Sequence, residues 1–147
     1  MSRPYLRFVL TLAVSLLVMF VLSLEQIWTL DHFYLNHSNF YIALTMVAAM
    51  GLVMLAGMWG MYKDRAKNVA LVVGLVALLG TGFLLARTET FVGDEGFLYS
   101  MIPHHSRAIL VCEESSLTDA EIIELCEQIV QSQSEEITQM QGILERY

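Results

Sequence analysis

Charge and cysteine are both scarce in this sequence, and the two shortages narrow the class of protein. Only 16% of the 147 residues are charged, whereas a soluble domain of this length usually carries about a quarter. The charged residues are separated by three long uncharged segments, 8–24, 32–62 and 68–86. Two cysteines, Cys112 and Cys126, are too few for a disulfide framework. This composition favours a membrane protein over a soluble domain.

Basic residues are nearly absent from the C-terminal part of the chain. From Thr88 to Tyr147 there are twelve acidic residues and two basic ones, Arg107 and Arg146, which gives a net charge of −10. The rest of the chain is slightly positive. Because nucleic-acid binding depends on Lys and Arg, the acidic part argues against a nucleic-acid partner. The change in composition predicts two domains, 1–87 and 88–147.

The three uncharged segments predict a membrane anchor made of three helices. About 20 apolar residues cross the hydrocarbon core of a bilayer as a helix, so the lipid bilayer is the expected surrounding of this part. We expect the helices over about 8–27, 40–62 and 68–86. Small residues in the third helix are expected to allow close helix contacts, namely Gly74, Gly80 and Gly82.

Lysine and arginine in the short flanks of the spans predict the orientation. They precede the first span, as Arg3 and Arg7, and they fill the 63–67 loop between the second and third spans. The 25–39 loop contains neither residue type. We therefore expect the N-terminus and the 63–67 loop in the cytoplasm and the C-terminal domain outside it. In a bacterium with two membranes, this is an inner membrane protein with a periplasmic domain.

The C-terminal domain is predicted to be a helical hairpin, which makes the fold class all-α. Its first helix follows an N-cap at Asp94 and ends near Glu114, with Pro103 expected to kink it. Thr118 is expected to cap the second helix, which ends near Leu144. Two helices of this length cannot bury a sufficient core alone. The hairpin therefore packs either on a second copy, as a four-helix bundle in a homodimer, or on the outer ends of the transmembrane helices.

The segment 101–105, Met-Ile-Pro-His-His, carries the clearest chemical signal. Imidazole and thioether groups together select copper, since thioether suits Cu(I) and imidazole suits both copper states. The predicted metal ligands are Met101, His104, His105 and Met140. Glu136 or Gln133 is expected to orient a histidine ring from outside the ligand set. If Glu136 bound the metal directly, iron or zinc would be favoured instead.

The pattern Phe97-x3-Met-Ile-Pro-His-His, followed by Ile-Val-x2-Gln-x2-Glu-Ile-x2-Met over residues 129–140, resembles the family catalogued as domain of unknown function 305. The resemblance covers about residues 91–145, and the stretch 58–62 resembles a membrane-anchored branch of that family. It implies a ferritin-like helical fold, with extracytoplasmic copper binding in soluble members rich in Met and His. Here no methionine follows the histidine pair within 106–111, so high-capacity copper storage is not expected.

Three functions follow from these observations as alternatives. The first is membrane-anchored metal binding, with copper handling or tolerance as the role and a copper-handling protein as a possible partner. The second is a non-catalytic interaction protein whose hairpin dimerises or binds a partner through structural histidines. The third is a ferritin-like oxidoreductase, although no catalytic motif is visible and we do not expect an enzyme. Cys112 and Cys126 are not expected to form a bridge, because a turn centred near Leu117 would offset them by about one helical turn.

Overall fold

Helices form the regular secondary structure of the protein. The computed structural model describes residues 3–147, and no strand occurs within that range. The helices are α1 (Arg3–Leu22), α2 (His37–Gly57), α3 (Arg65–Thr88), α4 (Asp94–Glu114) and α5 (Ala120–Leu144). Two short 3₁₀ turns lie at Leu30–His32 and Trp59–Met61. The predicted all-α fold class is confirmed.

The first three helices are each long and apolar enough to span a membrane. They contain 20, 21 and 24 residues, and 20 residues of α-helix rise about 30 Å, the thickness of the hydrocarbon core. Their bounds differ from the prediction by two to five residues, most at the start of α1 and at the ends of α1 and α2. α1 ends at Leu22 rather than near residue 27, and in the loop that follows Trp28 donates its backbone N–H to Ser106 of α4. α2 ends at Gly57, and the 3₁₀ turn takes its place before residue 62.

The chain divides into two compact units. The first contains the residues up to Ser23 together with Ser38–Thr90, and the second contains Leu24–His37 together with Phe91–Tyr147. The loop between α1 and α2 therefore groups with the C-terminal helices, and we call Leu24–His37 the strap. The predicted domain division at residues 87 and 88 stays a prediction.

The first unit has an apolar core at the end where α1 and α3 begin. Its buried residues are Tyr5, Phe8, Leu55, Tyr62 and Leu75. Of the glycines expected at close contacts, Gly82 is buried, and a Cβ atom there would lie 2.7 Å from Thr45 Oγ1. Gly74 and Gly80 have no such neighbour within 4 Å. Of the three glycines of α3, Gly82 is therefore the one at a close helix contact.

The second unit contains the hairpin, in which α4 and α5 pack along an apolar seam. The buried residues of this seam are Leu98, Ile102, Ile109, Ile137 and Met140. α4 continues through the buried Pro103 without interruption. The N-cap of α5 is Asp119 rather than Thr118, because the Asp119 carboxylate accepts the backbone N–H groups of Glu121 and Ile122.

Candidate functional site

The predicted metal ligands lie on both helices of the hairpin. His104 is exposed and His105 is buried, and the centroids of the two rings are 6.0 Å apart. Met140 belongs to the buried apolar seam, and Met101 packs against the same seam. The structure thus brings both methionines to one cluster and both histidines to one segment of α4. Their role as a ligand set stays a prediction.

His105 uses both of its ring nitrogens. Nδ1 lies 2.8 Å from the carbonyl oxygen of Met101, one helical turn earlier. Because a carbonyl can only accept, Nδ1 carries a proton and donates it. Nε2 lies 2.6 Å from Oε2 of Glu136 on α5. One further proton is therefore held between the imidazole and the carboxylate, and the contact links the two helices.

The Glu136 carboxylate is held from a second side as well. Ser132, one turn earlier on α5, donates from Oγ to Glu136 Oε1 at 3.0 Å. The carboxylate side chain is about half exposed, whereas the His105 side chain is 10% exposed. Glu136 is thus a fixed carboxylate at the edge of the hairpin seam, with one oxygen bound to Ser132 and the other to His105.

Nδ1 of His105 is held as in a metal-ligating histidine, whereas Nε2 is bonded to the Glu136 carboxylate. A ligating histidine donates one ring N–H to a carbonyl or carboxylate, which fixes the tautomer and aims the other nitrogen at the metal. In His105 the Met101 carbonyl fixes Nδ1, and Nε2 faces Glu136. A metal at Nε2 would displace the proton that is now held between His105 and Glu136. Among residues 3–147, no group of three His, Cys, Asp or Glu side chains forms a metal cluster.

The residue after the histidine pair connects α4 to the strap. Ser106 is fully buried, and its Oγ accepts the backbone N–H of Trp28 at 2.7 Å and lies 2.8 Å from Nδ1 of His32. The rings of Tyr34 and Tyr99 stack nearby, with centroids 5.2 Å apart. These contacts join the α1–α2 connection to the hairpin.

Burial lowers the pKa of His32, while the neighbouring Asp31 raises it to a smaller extent. A neutral His32 can accept a hydrogen bond at Nδ1 from the Ser106 hydroxyl. The hydroxyl of Ser106 then donates to His32 and accepts from the backbone N–H of Trp28. Sequence reasoning missed this contact. The one local signal is that Ser106 occupies a position on the buried face of α4, between Ile102 and Ile109, where an apolar residue is expected.

The two cysteines form a disulfide, and the expectation that they would stay apart is wrong. Cys112 and Cys126 have Cα atoms 5.3 Å apart. The bridge can form because residues that face each other across the two helices are centred in sequence on residue 119, whereas the prediction centred them on residue 117. Residues 120–125 of α5 are exposed, and with Cys126 opposite Cys112 the first turn of α5, 120–123, extends beyond the end of α4 at Glu114. An open groove of about 460 Å³ beside the disulfide is lined by residues of both helices.

Comparison with known proteins assigns the hairpin to a family. Residues 85–144 match the family model described as Domain of unknown function (DUF305). The C-terminal hairpin belongs to the DUF305 family. The matched segment contains His105, Glu136 and both cysteines, whereas the strap lies outside it.

Similarity to one viral protein extends beyond the DUF305 segment. The chain is 27% identical over 144 residues to "Uncharacterized protein L153" of Acanthamoeba polyphaga mimivirus, and the alignment covers 93% of this chain and 91% of that protein. The apolar helices are therefore part of the similarity. No solved structure matches the chain.

Proposed function

We propose that this protein is a membrane-anchored metal-binding protein whose DUF305 hairpin takes up copper. The observation that carries the proposal is the state of His105, whose Nδ1 is fixed by the Met101 carbonyl while Nε2 faces the Glu136 carboxylate. His104 stands beside this ring, exposed to solvent. The thioethers of Met101 and Met140 meet at the adjoining apolar seam.

The donor set supports copper as the metal. Imidazole with thioether is the combination that favours copper, and Cu(I) above all, because thioether is a soft ligand. In this reading the Met101 carbonyl orients His105 through Nδ1, while Glu136 stays outside the ligand set and gives up its bond to Nε2 when a metal binds there. If its carboxylate replaces the thioethers as a direct ligand, iron or zinc is favoured. The role is copper handling or tolerance rather than catalysis.

We also propose that the hairpin lies outside the cytoplasm, on the periplasmic side of a bacterial inner membrane. Two observations support this orientation. Five of the six basic residues of the anchor, including Arg3 and Arg65, lie at the end of the spans away from the hairpin connection, as in cytoplasmic loops, and Arg87 alone lies at the other end. The Cys112–Cys126 disulfide fits an oxidising compartment and not the reducing cytosol.

A second function is favoured by the same contacts. Both ring nitrogens of His105 are already bonded, and Ser106 beside it is fully buried. The histidine pair would then be structural, and the hairpin would act as a non-catalytic interaction module. Apolar side chains that stay exposed on the hairpin, such as Val111 and Leu125, would be covered in a homodimer that completes a four-helix bundle.

Metal titration of the full-length protein in lipid nanodiscs separates the two functions. The full chain is required because the strap, which a fragment 88–147 would lack, bonds to α4. Stoichiometric Cu(I) or Cu(II) binding that is lost in His104→Ala/His105→Ala supports the first function. The absence of binding tighter than about 1 µM rejects it and leaves the second.

Adjacent glutamates provide a matched pair of variants for the role of Glu136. Glu135 is exposed and bonds only to Gln131 on its own helix, whereas Glu136 contacts His105. A copper affinity of Glu136→Gln that equals that of Glu135→Gln, or falls about 10- to 100-fold below it, agrees with a carboxylate outside the ligand set. Abolished binding in Glu136→Gln alone makes the carboxylate a ligand and favours iron or zinc. Binding at Nε2 is also expected to release a proton, because a nitrogen that ligates a metal cannot keep its own.

A further inference from the structure

The anchor carries a cluster of positive charge at the end of the bundle where α1 and α3 begin. In the sequence these charges form two groups some 60 residues apart, which are Arg3 and Arg7 in α1 and Lys63, Arg65 and Lys67 around the start of α3. All five side chains belong to exposed residues. We call them the basic collar.

Tyr5 brings the two groups together. Its hydroxyl donates to Asn68 Oδ1 at 2.8 Å and accepts the backbone N–H of Asp64 at 3.1 Å. Asn68 in turn donates to the carbonyl oxygen of Tyr62 at 2.7 Å. Arg3 and Arg7 lie two residues either side of Tyr5, and Lys63 and Arg65 flank Asp64. The hydrogen bonds therefore fix both basic groups around one end of the first unit.

Most of the collar's charge is not neutralised by the protein. Asp64 is the only acidic residue in 58–86, and 3–24 contains none. Its carboxylate caps α3 and pairs with Lys67 Nζ at 2.5 Å. Within the described residues 3–147, the other four cations have no carboxylate within ion-pair distance. The collar keeps about four positive charges at the edge of a membrane-spanning bundle.

We infer that the basic collar binds anionic phospholipid headgroups of the leaflet at this end of the bundle. Long Lys and Arg side chains at helix ends reach the headgroup layer while their stems cover apolar surface. Clusters of four or more such residues beside a spanning helix attract anionic lipid.

Trp59 reports on this leaflet. It lies in the 3₁₀ turn three residues before Tyr62 and is 46% exposed, whereas Trp28 lies in the strap. In a Trp28→Phe background, Trp59 fluorescence is measured in bilayers that contain either brominated phosphatidylglycerol or brominated phosphatidylcholine. We expect the anionic lipid to bind about fivefold more strongly than the zwitterionic one at low salt. We expect the preference to fall towards one at 0.5 M NaCl, because salt screens exposed charges.

The variant that tests the assignment is Arg3→Gln/Arg7→Gln/Lys63→Gln/Arg65→Gln, which should abolish the preference. Arg107→Gln/Arg146→Gln, in the hairpin, is the matched control and should leave it unchanged. The inference is overturned if the two lipids quench Trp59 equally in the protein with an intact collar. It is also overturned if the preference for anionic lipid survives the four substitutions. If the fourfold variant does not fold, Arg3→Gln/Arg7→Gln and the salt titration decide by the same criteria.

Discussion

Ser106→Ala is expected to release the strap from the hairpin while α4 and α5 stay paired. The Ser106 hydroxyl is fully buried and holds two strap groups, the backbone N–H of Trp28 and Nδ1 of His32. Alanine removes both bonds and leaves the Trp28 N–H without this acceptor. The hairpin seam does not depend on the hydroxyl, because its buried residues are apolar.

The expected effect follows from the two lost bonds. A hydrogen bond contributes about 1 kcal/mol net, so the strap should lose about 2 kcal/mol of its closing free energy. That loss corresponds to a roughly 30-fold larger open population. The stacked rings of Tyr34 and Tyr99 remain, so the strap should stay associated for most of the time.

Hydrogen exchange of the full-length protein in nanodiscs measures this change directly. Peptides within 24–37 should exchange about 30-fold faster in Ser106→Ala, and peptides of α4 and α5 should keep their protection. Ser134→Ala is the control, since Ser134 is exposed and bonds to the Val130 carbonyl on its own helix. Unchanged exchange in the strap would refute the reasoning. Equal loss of protection in α4 and α5 would show that Ser106 supports the hairpin instead.

Two further predictions concern the strap and the hairpin. The folded-state pKa of His32 lies below its ordinary value of 6.5 because of burial, so docking of the strap should be strongest above about pH 6.5 and weaken as the pH falls through the lowered pKa. Trp28 fluorescence in a Trp59→Phe background measures this, and a pH response that persists in His32→Gln would contradict it. Cys112→Ser/Cys126→Ser should cost the hairpin about 3 kcal/mol, because the bridge closes a loop of 14 residues. Urea unfolding followed by proteolysis measures this loss of stability. Dithiothreitol should lower the stability of the wild type by the same amount. Equal stability of the double variant and the oxidised wild type would count against a stabilising bridge.

Local sequence was sufficient for the helices of both units. Uncharged segments long enough to cross a bilayer predict α1, α2 and α3, because a backbone in lipid must satisfy its own hydrogen bonds. The apolar period and the terminal polar residues predict α4 and α5, with bounds near Glu114 and Leu144 that the structure confirms. The exact cap of α5 was missed because Thr118 and Asp119 are both good capping residues and only the backbone turn selects between them.

Only the tertiary structure decided which residues meet across these elements. The disulfide partners, the His105–Glu136 contact and the strap contact of Ser106 join residues 14, 31 and 74–78 positions apart. A helix face can be deduced from its period, but the register between two faces depends on how far one helix extends beyond the other. The first turn of α5, residues 120–123, extends beyond the end of α4, and this shift in register brings Cys126 opposite Cys112. The strap has no periodic pattern from which a packing face could be predicted. Its position on α4 depends on the buried Ser106 hydroxyl, which accepts the backbone N–H of Trp28.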